Sequence, residues 1–243
     1  MRDDAARYWA EAGELLHKII GKISERVLSS LGLPGDSLAI FSEPCTQLRQ
    51  EPTQSMLRLF RYNVDGQQSK IVAEAHKDLG LLSLVISDTP GLEVDDPHGR
   101  RWLPLEKTYR SPVLLAGRQL ECLTNNRYHS GGHLVRSYPS QLQDKSGEAQ
   151  KSKSAHRYSI VFVLRAHSPV PVNTDSLTTR VTGTFSRPLN GITAGELLRR
   201  IQADHFNINA GIGERDEQRR KMAERKKLNS IHSAERKDDQ QTK

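Results

Sequence analysis

The 243-residue sequence has few cysteines, no long apolar run and no concentrated charge of one sign. No stretch of 18 apolar residues is present, so a membrane-spanning helix is not expected. The residues after Met1 contain no apolar segment typical of a secretory signal, so none is expected. Two cysteines, Cys45 and Cys122, are too few for a disulfide framework and indicate a reducing compartment. We therefore expect a cytoplasmic protein.

The positive charge of the chain is spread rather than clustered. The net charge is +7, from 36 Lys and Arg against 29 Asp and Glu. The last 30 positions, 214–243, hold ten basic and seven acidic residues, which leaves +4 for the remaining 213. Such a distribution argues against a phosphate-binding face, so nucleic-acid binding is not predicted as the main function. The tail alternates charge sign and is predicted to be a solvated helix or disordered, with docking to a partner as the alternative.

The periodicity of apolar residues changes along the chain. Leucine, isoleucine and valine recur at helical spacing over residues 4–31, which predicts one long amphipathic helix ended by Gly32, Pro34 and Gly35. Short apolar runs separated by turn residues follow, and they predict many strands in an antiparallel sandwich or barrel. These runs are Met56–Asn63, Ile71–Ala75, Leu82–Ser87, Gly91–Val94, Arg101–Pro104, Pro112–Ala116 and Tyr158–Ala166.

These patterns predict a division of the chain. Residues 1–35 are predicted to form a long supporting helix and residues 36–190 a β-rich core, in which the polar stretch 137–156 is a mobile loop. A C-terminal helix at 191–213 begins near Thr193, which has capping-box spacing to Glu196. Residues 214–243 form the charged tail.

One ordered set of residues carries the chemistry. His76 and Asp78 are two positions apart beside an extended run, so their side chains point to the same face. His133 is the candidate third ligand, and two histidines with one carboxylate make the facial triad of non-haem Fe(II) oxygenases. Three coordination positions then stay open, two for a chelating 2-oxo acid and one for dioxygen. Arg157 and Ser159 share one face of the last strong strand, where a guanidinium and a hydroxyl can hold a carboxylate.

The stretch from Leu57 to Ala166 resembles the isopenicillin N synthase-like, plant-type 2-oxoglutarate/Fe(II) dioxygenases. The resemblance rests on ordered motifs, each weak when taken separately. They are Arg61-Tyr62-Asn63, His76-Lys77-Asp78, GLEVDDPHGRRWLPLE, GRQLECLTNNRYHSGGHLV and Arg157-Tyr158-Ser159.

The resemblance implies a double-stranded β-helix, or jelly roll, that is mainly β with a long N-terminal helix and C-terminal helices. It implies Fe(II) at His76, Asp78 and His133, and 2-oxoglutarate at Arg157 and Ser159 with Tyr62 as a further contact. The implied activity is oxidation of a small organic metabolite with dioxygen. Asp78 argues against an iron halogenase, which has a small residue there. Val163 argues against the nucleic-acid demethylases, which carry a second arginine at that spacing.

Several alternatives stay open on the sequence. His129 has the same strand parity as His133, although the family motif favours His133. An oxidase that needs no 2-oxo acid can keep the Arg-x-Ser motif for its substrate. Family members commonly carry about a hundred residues before the long helix, so an inactive, truncated binding protein is the third alternative. Arg61, Arg101 and Arg127 hint at an anionic substrate, while the substrate itself and the oligomeric state are not predicted.

The chain also departs from the family motifs at several positions. Arg118 follows Gly117 where the family usually has aspartate, and Leu134 follows His133 where it usually has arginine. Asn126 and Asn63 replace a glycine and a proline. Because none of these positions is a metal ligand, we expect iron binding to survive them.

Overall fold

The computed structural model describes residues 2–25, 31–34, 36–42, 53–63, 68–96, 98–105, 111–138 and 156–204, together with 213–214, 216–218, 220–221 and 224. The chain divides into two compact units, residues 1–201 and residues 202–243. The elements in order are α1 (Arg2–Ser24), β1 (Met56–Asn63), β2 (Lys70–Lys77), β3 (Leu82–Ser87), β4 (Leu92–Asp96), β5 (Arg101–Pro104), β6 (Val113–Ala116), α2 (Arg118–Leu123), β7 (Gly132–Ser137), β8 (His156–Leu164), β9 (Pro171–Val172), β10 (Ile192–Thr193) and α3 (Ala194–Ala203).

Two four-stranded antiparallel sheets form the β structure that carries the site. The first sheet has the order β1-β8-β3-β6 and the second β2-β7-β4-β5, while β9 and β10 form a separate pair. Most neighbouring strands are far apart in sequence, as in the pairing of β1 with β8, whereas the neighbours β4 and β5 are consecutive. The prediction of a mainly β, antiparallel fold with flanking helices is confirmed.

The first sheet is covered by different partners on its two faces. On one face Phe162 is fully buried and meets the ring of Trp9 from α1 edge to face, with ring centroids 5.0 Å apart. Helices α1, α2 and α3 all contribute to this larger core. The other face turns Val85 and Leu115 toward Leu92 and Val135 of the second sheet. The two sheets therefore pack face to face, and the inner faces hold the candidate site.

Helix α1 ends earlier than the sequence pattern predicts. It stops at Ser24 rather than near residue 31, and Val27 and Leu28 lie outside the described residues. The backbone N–H groups of Leu31 and Leu33 donate to the carbonyls of Ile23 and Ser24, at 3.1 and 2.9 Å. The returning chain thus satisfies the last helical carbonyls, and Gly32 permits the turn with φ +68°. Leu31 is buried, so its apolar character reflects the core and not the helix.

Each predicted strand run overlaps a strand, whereas β7, β9, β10 and α2 are not predicted, and β10 occupies the start of the predicted C-terminal helix at 191–213. The segment predicted as a mobile loop includes Ser137, the last residue of β7, and His156, the first of β8, and residues 139–155 lie outside the described part. The predicted cap of α3 is present, because the N–H of Glu196 donates to Oγ1 of Thr193 at 3.2 Å. Most of the charged tail lies outside the described residues, and within them no helix is long and apolar enough to cross a membrane.

The packing of α1 gives a matched test of the helix face. Leu16 is fully buried and Leu15 is 45% exposed, so the two neighbours differ in burial but not in chemistry. Leu16→Ala should lower the free energy of unfolding by about 2–5 kcal/mol, because a cavity is left in the core. Leu15→Ala should change it by only about 0.5 kcal/mol. Urea unfolding of both variants checks this, and similar losses would contradict the helix register.

Candidate active site

Two histidines face each other across the pairing of β2 with β7. His76 and His133 are register partners, and their ring centroids are 4.2 Å apart. Two register shifts lie along this pair of strands, between Ile71 and Ala73 and between Ala73 and His76. Such bulges re-aim side chains next to functional sites. The two imidazoles therefore lie side by side on the inner face of the second sheet.

The carboxylate of Asp78 completes the cluster directly after β2. Its Oδ1 lies 3.8 Å from Nε2 of His76, and its Oδ2 lies 4.0 Å from Nε2 of His133. One potential ligand atom from each residue lies within 4.8 Å of the others. In the described ranges this is the only group of three His, Cys, Asp or Glu side chains arranged in this way. The structure thus brings together the three residues that the sequence pattern selected.

Backbone carbonyls fix which nitrogen of each ring faces the cluster. Nδ1 of His76 lies 2.8 Å from the carbonyl oxygen of Glu74, and Nδ1 of His133 lies 3.1 Å from that of Gly131. A carbonyl only accepts hydrogen bonds, so each Nδ1 carries the proton and each Nε2 presents a lone pair. Burial lowers the pKa of His76 and the nearby His133 lowers it further, which favours the neutral, ligating form.

The environment of the Asp78 carboxylate is suited to binding a cation. Oδ2 of Asp78 is buried and has no hydrogen-bond partner among the residues that the structure describes. An ionised oxygen in that position is unfavourable unless a cation or a donor compensates its charge. Two neutral imidazole nitrogens and one carboxylate oxygen are suitable ligands for a divalent transition metal. The donor set and its geometry therefore fit Fe(II).

Arg157 presents a second unsatisfied charge on the inner face of the first sheet. It is only 2% exposed, and its Nε donates to the carbonyls of Thr89 and Pro90, both at 3.3 Å. Nη1 and Nη2 are buried, and neither has a hydrogen-bond partner within the described part of the chain. Gly91, at φ +138°, leaves room for this stem, since a Cβ there would lie 3.2 Å from the Nε of Arg157. Two parallel N–H donors in this arrangement match a carboxylate.

Tyr62 and Ser159 lie beside this guanidinium. Tyr62 is the register partner of Arg157, whose guanidinium carbon is 5.5 Å from the tyrosine ring centroid. Burial raises the pKa of Tyr62, while the charge of Arg157 and a hydrogen bond with Ser159 oppose that rise. Ser159 is buried two positions after Arg157, on the same face of β8. The three predicted contacts for a carboxylate are thus adjacent.

Glu121 in α2 is a buried carboxylate that sequence reasoning missed. Its two oxygens accept the N–H of Ser130 at 3.2 Å and the hydroxyl of Ser130 at 2.9 Å, and one of them pairs with Arg118. The N–H of Arg118 in turn donates to the carbonyl of Asp78 at 2.8 Å. Helix α2 therefore ties the turn before His133 to the segment that carries Asp78. The departure from the family motif at Arg118 was the one available signal.

His129, the alternative third ligand, is not in the cluster. Its side chain is 78% exposed, and its Nδ1 lies 3.5 Å from Glu121. Strand parity is not preserved between His129 and His133, because a turn and not a strand precedes Gly132. The structure thus favours His133, as the motif did.

Comparison with known proteins agrees with this geometry. Residues 53–166 match the family model of the 2OG-Fe(II) oxygenase superfamily. The sexual differentiation process protein isp7 of Schizosaccharomyces pombe is 26% identical over 200 residues, which cover 80% of this chain and 44% of that protein. Gibberellin 3-beta-dioxygenase 1 of Oryza sativa subsp. japonica is 28% identical over 149 residues, which cover 55% and 38%. The chain spans less than half the length of both curated relatives.

Solved structures show the same fold. A 2OG-Fe(II) oxygenase family protein from Caulobacter crescentus superimposes with a TM-score of 0.62 at 24% identity, covering 83% of this chain and 58% of that one. JOX2, crystallised with 2OG, Fe and JA, gives a TM-score of 0.55 at 20% identity and covers 80% and 50%. The two sheets therefore form the predicted jelly roll. The part of the chain that matches the model of the 2OG-Fe(II) oxygenase superfamily, residues 53–166, includes β1 to β8.

Proposed function

We propose that this chain is the catalytic part of a 2-oxoglutarate- and Fe(II)-dependent dioxygenase of the isopenicillin N synthase-like, plant-type family. It oxidises a small organic molecule by hydroxylation, desaturation or ring closure and releases succinate and CO2. The observation that carries the proposal is the convergence of His76, Asp78 and His133, in which a buried carboxylate oxygen of Asp78 has no hydrogen-bond partner among the described residues. The ordered motifs and the plant dioxygenase relative support the choice of family.

The protein residues of this site have separate tasks. His76 and His133 hold their Nδ1 protons on backbone carbonyls and keep both Nε2 atoms directed at one point. Asp78 supplies the negative charge that a dication needs. Fe(II) bound by these three residues would leave coordination positions open for 2-oxoglutarate and dioxygen, whose reaction supplies the oxidant.

The co-reactant is held by the other sheet. Arg157 would take the distal carboxylate of 2-oxoglutarate in a bidentate pair, with hydroxyl contacts from Ser159 and Tyr62. This assignment is supported by the two buried guanidinium nitrogens that have no partner among the described residues. Because Arg157 is fixed by Thr89 and Pro90, the guanidinium is already oriented before the carboxylate binds.

The division of the chain follows from these tasks. We propose that residues 36–190 form the catalytic core and that residues 1–35 support it, because α1 packs on the face of the first sheet opposite Arg157. We propose residues 191–213 as a C-terminal segment, in which the helix α3 occupies Ala194–Ala203 after the short strand β10, and residues 214–243 as the charged tail.

Succinate formation from 2-oxoglutarate tests the metal ligands. Changing outer-sphere partners of a metal commonly lowers affinity or activity about 10–100-fold, so His76→Ala and Asp78→Ala should lower turnover by more than about 100-fold. The control His98→Ala removes an exposed histidine from the turn between β4 and β5 and should retain wild-type turnover. Equal turnover in wild type, His76→Ala and Asp78→Ala would contradict the proposal. Oxygen uptake that is independent of 2-oxoglutarate would identify the alternative oxidase.

The role of Arg157 is separable from metal binding. Arg157→Gln should raise the 2-oxoglutarate concentration for half-maximal turnover about 10–100-fold, because a charge-assisted pair is lost. Its Fe(II) affinity should stay at the wild-type value. An unchanged 2-oxoglutarate requirement would show that Arg157 does not hold the co-reactant.

Two buried carboxylates offer a matched test of positioning by α2. Glu121→Gln should weaken Fe(II) binding about 10-fold, because it loosens the turn before His133. Glu93 is equally buried and paired with Arg136, at 2.7 Å, but it lies on the opposite face of its strand from the site. Glu93→Gln should therefore leave Fe(II) affinity unchanged. Anaerobic metal titration of both folded variants decides, and equal affinities would exclude a positioning role for Glu121.

A further inference from the structure

Arg165 lies on the site face of the first sheet, at the end opposite Arg157. The inner face of β8 carries Arg157, Ser159, Val161 and Val163, and Arg165 continues this alternation one position beyond the strand. Eight residues of extended chain separate the two arginine Cα atoms by roughly 25 Å. Arg165 is therefore placed to meet a different ligand group from the one that Arg157 would hold.

The guanidinium of Arg165 is partly buried and incompletely satisfied. Its Nε is buried without a hydrogen-bond partner among the described residues, although its backbone N–H donates to Ser55 at 3.0 Å. Burial lowers the pKa of Arg165, the charge of Arg58 lowers it further, and Asp78 opposes both effects. The arginine thus lies within electrostatic range of the metal-binding carboxylate, yet it forms no ion pair with it at 4.0 Å or less.

A second arginine approaches from the neighbouring strand. Arg58 belongs to the inner face of β1, which also carries Phe60 and Tyr62, and its Nη2 contacts Sδ of Met56 at 3.5 Å. Arg58 is the register partner of Val161 on β8, so it lies on the same inner face as Arg165. Two positive side chains therefore lie close together on this face, where an anionic ligand group would interact favourably with both.

From this placement we infer that the primary substrate is an organic acid whose carboxylate is bound by Arg165, with Arg58 beside it. This inference rests on the proposed function and adds the substrate class. Fe(II) would neutralise the charge of Asp78, and the distal carboxylate of 2-oxoglutarate would neutralise the charge of Arg157. Arg165 would then be the arginine that binds the substrate. A carboxylate held there would fix the distance of the substrate carbons from the metal ligands.

The arginines suggested by the sequence do not serve this purpose. Arg61 and Arg127 are exposed, and Arg61 lies on the face of β1 opposite Arg58. Arg101 is 70% exposed and lies 3.6 Å from Asp96. The hypothesis of an anionic substrate therefore stays, but Arg165 and Arg58 replace these three arginines as the residues that would bind it. Arg61 becomes a matched control, since it is the same residue type on the same strand and faces away from the site.

Paired acids and amides test the inference without knowledge of the natural substrate. The full chain, saturated anaerobically with Fe(II) and 2-oxoglutarate, is titrated calorimetrically with hexanoate, phenylacetate and indole-3-acetate, and with the corresponding amides. At least one acid should bind about tenfold or more tightly than its amide. Arg165→Gln should abolish that preference, Arg165→Lys should keep part of it, and Arg61→Gln should leave it intact.

Three results would overturn the inference. They are equal binding of acid and amide in every pair, no binding of any acid, and a preference that survives Arg165→Gln. If Arg165 had only a structural role, Arg165→Gln would weaken the binding of Fe(II), of the acid and of the amide to the same extent. That result would also contradict the inference. The preceding 2-oxoglutarate titration separates the two proposals, because its failure refutes the proposed function, whereas a normal titration without acid preference refutes this inference only.

Discussion

The pairing of His76 with His133 across β2 and β7 is the constraint on which the site depends. This register places one potential ligand atom each of His76, His133 and Asp78 within 4.8 Å of the others, although the ligands come from segments more than 50 residues apart. A slip of one residue would turn one imidazole to the opposite face of the sheet. The bulges in β2, the carbonyls of Glu74 and Gly131, and the bonds through α2 all act to keep this register.

The site contains buried ionisable groups that lower the stability of the fold. Asp78 and Arg157 each bury polar atoms without a partner in the described part of the chain, and an uncompensated buried ion costs on the order of several kcal/mol. The opposite face of the first sheet offsets this cost with Phe162, Trp9 and the leucines of α1 in one apolar core. The larger apolar core thus lies on the outer side of the first sheet, whereas the unsatisfied ionisable groups of the site lie on the inner side. Proteins tolerate such destabilising groups where binding later satisfies them.

The sequence indicated the ligands because short-range parity and motif order both constrain them. His76 and Asp78 are close in sequence, and Arg157 and Ser159 alternate on a strand whose apolar pattern is strong. By contrast, the two glycines Gly131 and Gly132 give no strand pattern at the start of β7. A helix of six residues, such as α2, is too short to show the helical periodicity of apolar residues. Arg165 and Glu121 gain their significance from strand register and from contacts between distant segments. No local pattern contains that information, so only the three-dimensional structure could assign it.

The central claim is that the three ligands converge on one metal that also accepts a 2-oxo acid. Anaerobic addition of Fe(II) and then 2-oxoglutarate to the folded full chain tests it most directly, through the weak visible charge-transfer band of a chelated complex. The band should saturate at one Fe(II) per chain and should be absent in His76→Ala. A folded wild-type protein that shows no band at saturating Fe(II) and 2-oxoglutarate would contradict the account.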